Sequence, residues 1–537
     1  MITLGRAPCD DGIIRAGDDA AGCSARAKPW VLVATILGSS VAFIDSSVVN
    51  VALPAIQADL AASAQGAQWI VNAYLLMLGA LILVGGAAGD RFGRRRVFVL
   101  GITLFTAASI ACGLAPGAGV LIAARIVQGV GGAMLVPGSL AIISAAFPQE
   151  ERGKAIGTWA GFSALTTALG PVLGGALVDA WSWRAIFFIN LPVALVTVAI
   201  TMRHVPESRA DAKDAAVDWQ GGLLATLGLG GLAYGLSAAS TARWVEPAVF
   251  GPVIAGIAVL GAFVWVEARA ASPMMPLTLF RSRAFSGANA MTLLLYCGLT
   301  DALFFLPFNL IRLQDYSATK AGATFLPLSL IMASLSRWSG RLIDRYGARL
   351  PLTVGPVIAA AGFALFAVPG IGGSYWATFF PATVVLGLGM AVSVAPLTTT
   401  VMGSVDQRQA GAASGVNNAV ARMAGMLAVA LFGAIAVGVF GMALAARLDR
   451  ISLSPELRAA MTAQVPRLAE ATVPPGAAGA TRQALIAAVD ESFLRAYRVA
   501  MLGAAGLALA SALAAGLTIG PRVKLRIAAG PAADRRL

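Results

Sequence analysis

Gly86-Ala87-Ala88-Gly89-Asp90-Arg91-Phe92-Gly93-Arg94-Arg95-Arg96 decides the fold. It is a basic, glycine-punctuated turn between two apolar runs, 69–88 and 97–115, that are almost free of charge. Each run is about 20 residues long, the length that crosses a bilayer core as a helix. The turn therefore sits at a membrane surface, and its arginines mark that surface as the cytoplasmic one. A weaker copy follows as Gly340-Arg341-Leu342-Ile343-Asp344-Arg345-Tyr346-Gly347-Ala348-Arg349. Both read G-x-x-x-D-R-x-G-x-R. The same turn at corresponding places in two halves implies a duplicated membrane protein, an arrangement on which many transporters are built.

Composition agrees. Of 537 residues, 58% are hydrophobic and only 12% charged, about half the charge of a soluble protein, and mean hydropathy is +0.79. The formal net charge of +13 lies in short loops between apolar runs, where it orients helices. No contiguous basic domain exists for nucleic acid, so none is expected as a partner. The four cysteines, Cys9, Cys23, Cys112 and Cys297, lack metal-ligand spacing, and the single histidine, His204, sits at a helix end. No zinc site, disulfide framework or imidazole catalysis is expected. A phosphate-binding G-x-x-x-x-G-K-[ST] loop is absent from the sequence, so drive by ATP is not expected.

The apolar spans fall near 30–54, 69–88, 97–115, 120–146, 155–178 and 184–202; then 219–239 and 248–268; then 284–310, 321–340, 351–369, 376–402, 411–444 and 495–519. That predicts an all-α polytopic membrane protein of about fourteen helices. Residues 1–29 read as a cytoplasmic tail and 30–202 as a first six-helix bundle. Residues 203–283 form a linker with two inserted helices that pack outside the bundles. A second six-helix bundle, 284–519, carries a long polar outer loop at 445–494, and 520–537 is a basic cytoplasmic tail. Loops placed inside carry Arg91, Arg94, Arg95 and Arg96, then Arg203, Arg209 and Lys213, then Arg281 and Arg283, then Arg345 and Arg349; outer segments 55–68, 116–119 and 370–375 carry no Lys or Arg. The alternation follows the positive-inside rule and puts both termini in the cytoplasm.

Several stretches resemble the major facilitator superfamily, specifically its fourteen-helix drug:proton antiporter branch. Gly86 to Arg95 is similar to the superfamily's loop signature, with Ala88 where a leucine is usual. Asp45-Ser46-Ser47-Val48-Val49-Asn50-Val51-Ala52-Leu53-Pro54 resembles the branch's first-helix signature. Arg125-Ile126-Val127-Gln128-Gly129-Val130-Gly131-Gly132 resembles its fourth-helix signature. Gly170-Pro171-Val172-Leu173-Gly174-Gly175 resembles its antiporter signature. The match runs from about 30 to 519. It implies two six-helix bundles rocking about a central cavity, with coupling to protons.

Asp45 lies about 22 Å into its helix at 1.5 Å per residue. That is too deep for a short carboxylate to reach water, and an intramembrane acid is a functional candidate by default. It is read as the proton site, against a structural hydrogen bond to a neighbouring helix. Arg125 either snorkels outward or reaches the layer of Asp45; the resemblance implies a role in proton coupling. Asp301 lies 43 residues before Asp344, as Asp45 lies 45 before Asp90, so the two acids share a depth in the two halves. Asp301 is a candidate for attracting a cationic substrate or binding a second proton, against pairing with a neighbouring helix or facing outer water. With Asn50, Phe304 and Phe305 it is taken as lining the substrate cavity; Phe308 and Trp338 extend a possible aromatic wall, though membrane aromatics mostly pack or anchor.

Gly170, Pro171, Gly174 and Gly175 form a small-residue, bent seam that lets helices approach closely, read as sealing the outer end during antiport. Asp90, Arg91, Gly93 and Arg94, with Asp344, Arg345 and Gly347, are read as conformational latches whose charge-assisted bonds cross the cytoplasmic seam. Asn417 and Arg422 read as helix–helix hydrogen bonding. The expected function is a proton-coupled antiporter, without cofactor or metal, exporting amphipathic, cationic small molecules across the cytoplasmic membrane as a monomer in the lipid bilayer. The alternative is a dedicated exporter of one endogenous compound on the same fold. An enzyme is not expected, since no catalytic cluster is present.

Overall fold

The computed structural model describes residues 27–209, 218–239, 246–270, 273–340, 342–405 and 410–520, with some side chains of 149–168, 336–344 and 410–414 outside that description. Tails 1–26 and 521–537 and the expected basic positions Lys213 and Arg341 fall outside it. The first half comprises α1 (Lys28–Asp59), α2 (Ala64–Phe92), α3 (Arg94–Gly113), α4 (Ala118–Ala146), α5 (Gln149–Ala180), and α6 (Ala185–Phe188) continuing into α7 (Asn190–His204). The inserted pair is α8 (Trp219–Ala238) and α9 (Pro247–Glu267). The second half comprises α10 (Arg283–Arg312), α11 (Ala318–Ala323) with α12 (Leu326–Gly340), α13 (Leu342–Tyr346), α14 (Arg349–Phe366), α15 (Phe379–Gly403), α16 (Ala410–Leu448), α17 (Pro455–Thr462) and α18 (Gly479–Thr518). Thirteen spans among the described residues are long and apolar enough to cross a membrane; α5, apolar over Leu169–Ala180, is the remaining expected span. The protein is a multi-pass helical membrane protein.

Local chemistry sets where helices begin. Ser63, Asp218, Ser282 and Ser317 each accept a hydrogen bond from a backbone N–H in the first turn of the helix they precede, satisfying donors the helix itself leaves unpaired. Within spans, hydroxyls return to their own backbone, as Thr35 to the Val31 carbonyl and Ser39 to the Thr35 carbonyl. Each such bond satisfies a hydroxyl inside its own helix. Between α2 and α3 the chain turns at Gly93 with φ +111°, a conformation that side chains rarely adopt.

Within the first half, α2 and α3 lie against α4 on glycines. A side chain at Gly85 would fall on the Ala133 carbonyl oxygen, with Met134 Cα at 3.2 Å. Gly85→Val is expected to cost about 1–3 kcal/mol of stability through overpacking. A lowered melting temperature of the purified protein measures it; an unchanged one would mean that α2 and α4 are not in this contact.

The halves meet along two lines. In one, α2 runs against α16, where a Cβ at Gly79 would lie 3.0 Å from Arg422 Cβ. In the other, α5 packs on α11 and α12. The inserted pair packs along the first line. Leu76 and Ala80 of α2, Ala225, Leu229 and Ala233 of α8, Phe263 of α9 and Met426 of α16 form one buried cluster. The outer face of α9, with Ile254, Ile257 and Trp265, stays exposed, as an apolar face toward lipid does.

The segment 445–494, expected as a loop, is largely helical. Helix α16 runs to Leu448 and α18 already starts at Gly479. Polar composition hid an amphipathic stretch: Leu485, Val489 and Phe493 are fully buried, while Asp490 pairs with Arg312 at 3.0 Å and Glu491 with Arg447 at 3.0 Å. The short connection folds back on the first half through Gln57, whose amide donates to the Arg467 carbonyl at 3.1 Å. Within it, burial pushes the Glu470 carboxyl above its usual range, and Arg312 opposes the shift.

Candidate functional site

Arg125 and Gln128 stand three apart on α4 and so point to one side of it. The side chain they face is Asp45 of α1. The Arg125 guanidinium donates to Asp45 Oδ2, to Gln128 Oε1 at 2.7 Å and, through Nε, to the Ile70 carbonyl at 3.0 Å. Gln128 Nε2 donates to Asp45 Oδ1 and to Ser109 Oγ, both at 2.8 Å. Asn190 Nδ2 completes the line by donating to Ser109 Oγ at 2.8 Å. The guanidinium carbon also lies 4.3 Å from the centre of the Tyr74 ring, within reach of the ring's negative face.

Five helices thus contribute to one polar core. Asp45 and Arg125 are each 1% exposed, so Arg125 does not snorkel. A buried ion pair survives only if its remaining donors and acceptors are met, and the network meets them. Asn50 stands apart: it is half-buried, and its amide donates to the Ser46 carbonyl at 3.3 Å in its own helix.

The glycine seam on α5 has two faces, one residue apart. Gly170 and Gly174 press on α1, where a Cβ at Gly174 would lie 3.2 Å from Val48 Cα. Pro171, Gly175 and Asp179 form the adjoining i, i+4, i+8 row, which meets α11 of the other half. A side chain at Gly175 would fall on the Ala318 carbonyl, and one at Gly322 on the Pro171 carbonyl. Asp179 accepts from the Ala318 N–H at 3.1 Å and the Thr319 N–H at 2.8 Å, capping α11 across the bundle boundary. Sequence reading missed Asp179, although it stands one turn beyond Gly175 on the same face.

The first Asp-Arg turn departs from expectation. Asp90 accepts from Arg94 Nε at 2.8 Å. The Arg94 N–H donates to the Ser208 carbonyl at 2.9 Å, and the Arg95 N–H to Glu207 Oε1 at 3.1 Å. Arg95 Nη1 donates to the Val205 carbonyl at 3.0 Å, and Arg96 Nε lies 3.6 Å from Glu207. These bonds tie the turn to the linker at 205–208 rather than across the seam, because Glu207 lies directly beside the glycine at the bend: a Cβ at Gly93 would be 2.7 Å from it. Arg91 is exposed, 5.6 Å from the Phe92 ring. In the second turn Gly347 takes φ +74° and exposed Arg345 lies 5.4 Å from the Tyr346 ring; the Asp344 side chain lies outside the described residues.

In the second half Asp301 is 0% exposed, and neither carboxylate oxygen has a hydrogen-bond partner among the described residues. It therefore neither pairs with a neighbouring helix nor faces outer water. One turn on, Phe304 packs against Phe305 and Phe308. The three rings line a small pocket with Gln57, Gln68 and Gly433, groups drawn from both halves; half-exposed Trp338 is not among its walls. Asn417 bonds across helices, donating to Asn289 Oδ1 at 3.1 Å and Thr292 Oγ1 at 2.7 Å.

A family model described as Major Facilitator Superfamily matches residues 35–430. The chain belongs to the Major Facilitator Superfamily. Its curated relatives in that superfamily include the multidrug resistance protein Stp of Mycobacterium tuberculosis, 33% identical and covering 89% of each chain. The tetracenomycin C resistance and export protein of Streptomyces glaucescens is 33% identical over 76% of each chain. The puromycin resistance protein pur8 of Streptomyces alboniger is 35% identical over 76% of this chain and 82% of that one. Among solved structures, a bacterial homologue of the human lysosomal transporter Spinster, in an inward-facing, unoccupied conformation, superimposes with a TM-score of 0.65 at 18% identity, covering 93% of this chain and 99% of that one. The superfamily consists of membrane transporters, so this protein is a transporter and not an enzyme.

Proposed function

We propose that this transporter exports amphipathic, drug-like small molecules from the cytoplasm in exchange for protons, with Asp45 as the proton site and Arg125 as its switch. The observation that carries the reading is the sealed Asp45–Arg125–Gln128 network. It is an ion pair held inside a membrane bundle, where charge is retained for function. The names of the relatives, multidrug resistance, tetracenomycin C export and puromycin resistance, support drugs or antibiotics as cargo. The Phe304, Phe305 and Phe308 rings favour flat, apolar substrates that carry a cation. The arginine-bearing turns face the cytoplasm, and the contact of α5 with α11 closes the outer end. Protons from outside neutralise Asp45, release Arg125 and return the empty carrier. Neither cofactor nor partner chain is required. A dedicated exporter of one compound is the second reading, favoured by relatives whose names carry a single antibiotic.

The test is reconstitution of the purified protein in liposomes and uptake of a fluorescent lipophilic cation under an imposed pH gradient. Gradient-dependent flux, collapsed by a protonophore and indifferent to ATP, is the expected result. No flux for that cation or a panel of aromatic antibiotics would overturn the multidrug reading; flux for one member alone would select the dedicated exporter.

A further inference from the structure

Asp45 and Asp301 occupy corresponding helices, yet their surroundings differ in kind. Asp45 meets a cation from α4. The corresponding helix of the second half, α15, reads FFPATVVLGLGMAVSVAPLTTTVMG and carries no charge at all. Cys297, one turn back on α10, turns its thiol to the Ala424 carbonyl of α16 at 3.1 Å, and Tyr497 of α18 is fully buried with a hydroxyl that has no partner among the described residues. From α16, Ala424 and Gly425 lie against Cys297 and Thr300 of α10, and Arg447, at the far end of that helix, is bonded to Glu491. Arg422, on the same helix, turns toward α1, 5.9 Å from the Phe43 ring. On α18, Asp490 is taken by Arg312, and Arg498 donates to the Pro369 carbonyl at 3.2 Å.

An ionised carboxylate buried in a membrane bundle without a cation or a donor costs more than a fold supplies, and such a group neutralises instead. Asp301 therefore holds its proton in this conformation, while Asp45 has the Arg125 guanidinium against it. Two further buried polar groups lead away from it. The Tyr497 hydroxyl and both amide atoms of Asn309, two turns along α10, have no partner among the described residues. Polar groups of this kind accept water when a cavity admits it. Asn309 stands three residues before Arg312 on α10 and Tyr497 seven after Asp490 on α18, so both lie between Asp301 and the end where Arg312 and Asp490 pair. Phe304 and Phe305, one turn from Asp301, already wall the cavity between the two halves, so relative motion of the halves opens this wedge.

The geometry points to Asp301 as a second proton-carrying site, independent of Asp45, with Tyr497 and Asn309 as its route to water. Each cycle then exchanges two protons for one substrate, and export of a monovalent cation moves one net positive charge inward. The stoichiometry rests on the proton-coupled export proposed above; the protonation of Asp301 does not.

Two measurements separate these claims. The first is infrared difference spectroscopy of the purified protein between neutral and alkaline pH, which detects the C=O stretch of a protonated carboxyl. The expected band is present in the wild type and in Asp45→Asn and missing in Asp301→Asn. A band unchanged in Asp301→Asn overturns the proposal whether or not any substrate is transported. The second is flux of a monovalent lipophilic cation in liposomes under a potassium–valinomycin potential at zero pH gradient. Wild type is expected to respond to voltage. Asp301→Asn is expected to keep flux driven by a pH gradient, to lose the voltage response, and to fall from two protons to one per substrate. An identical voltage response and proton ratio in Asp301→Asn overturns the two-proton cycle. Tyr497→Phe is expected to keep the infrared band and slow proton release; if Asp301→Asn does not fold, loss of voltage-driven flux in Tyr497→Phe at unchanged melting temperature carries the test, and unchanged flux there overturns it.

Discussion

Asp45→Asn abolishes export driven by a pH gradient while leaving substrate exchange across the membrane intact. That is the expected result, and it follows from what asparagine keeps and removes. The amide has nearly the size of the carboxyl and still accepts from Gln128 Nε2, which lies 2.8 Å from Asp45 Oδ1. It no longer titrates, so gradient-driven flux should fall by at least about 100-fold, the lower range for removing a group that carries a proton. Exchange of labelled for unlabelled substrate needs no net proton movement and should persist. The substitution also strands the Arg125 guanidinium, 1% exposed, without its anion. Breaking one side of a buried pair costs about 3–5 kcal/mol, enough to lower the melting temperature and mimic a functional defect. The double variant Asp45→Asn/Arg125→Gln separates the two effects. Removing both charges should restore much of the melting temperature and none of the coupled flux. Coupled flux in the double variant would move the proton site away from this pair.

Much of this arrangement is legible in the residues, and what is not has identifiable causes. Apolar runs and arginine placement reveal spans because each helix must satisfy the bilayer by itself. The depth of Asp45 and the spacing of Arg125 from Gln128 are likewise properties of single helices. Partners contributed by other helices are hidden. Ser109 and Asn190 look like isolated polar residues in apolar runs until α3 and α7 are placed against α4, where they join one hydrogen-bond line. Glu207 reads as linker, and its acceptance of the Arg95 N–H redirects a turn that charge pattern alone assigned to the seam. Residues 479–494 read as loop because their charges outweigh a buried stripe in any window average. The isolation of Asp301 was open to reading in advance, since 379–403 contains no basic residue. Its complete burial was not.

The second large effect concerns Gly175. Valine there is expected to reduce transport to background with little change in melting temperature, because the clash lies between the halves and not inside one. A Cβ at Gly175 meets the Ala318 carbonyl oxygen and stands 2.6 Å from Thr319 Cα. Backbone atoms of a capped helix end cannot swing aside as a flexible side chain would. Asp179 holds that end by two N–H bonds, so α11 must leave its seat on α5 altogether, and the closed outer end is lost. A carrier unable to close outside cannot open inside without leaking. Gly174→Val provides the contrast. Its Cβ presses on Val48 of α1 in the same bundle, so the expected cost is about 1–3 kcal/mol of stability rather than a gating defect. Gly322→Val approaches the same boundary from the other side, onto the Pro171 carbonyl, and should reproduce Gly175→Val. Labelling of a cysteine placed at Ala321, fully buried in this state, by a membrane-impermeant maleimide added outside reads the gate directly. Labelling should rise in Gly175→Val and Gly322→Val and stay low in Gly174→Val. If all three label alike, α5 is packing without gating, and the outer closure must be sought in the 449–478 connection, where Gln57 already bonds across to the Arg467 carbonyl.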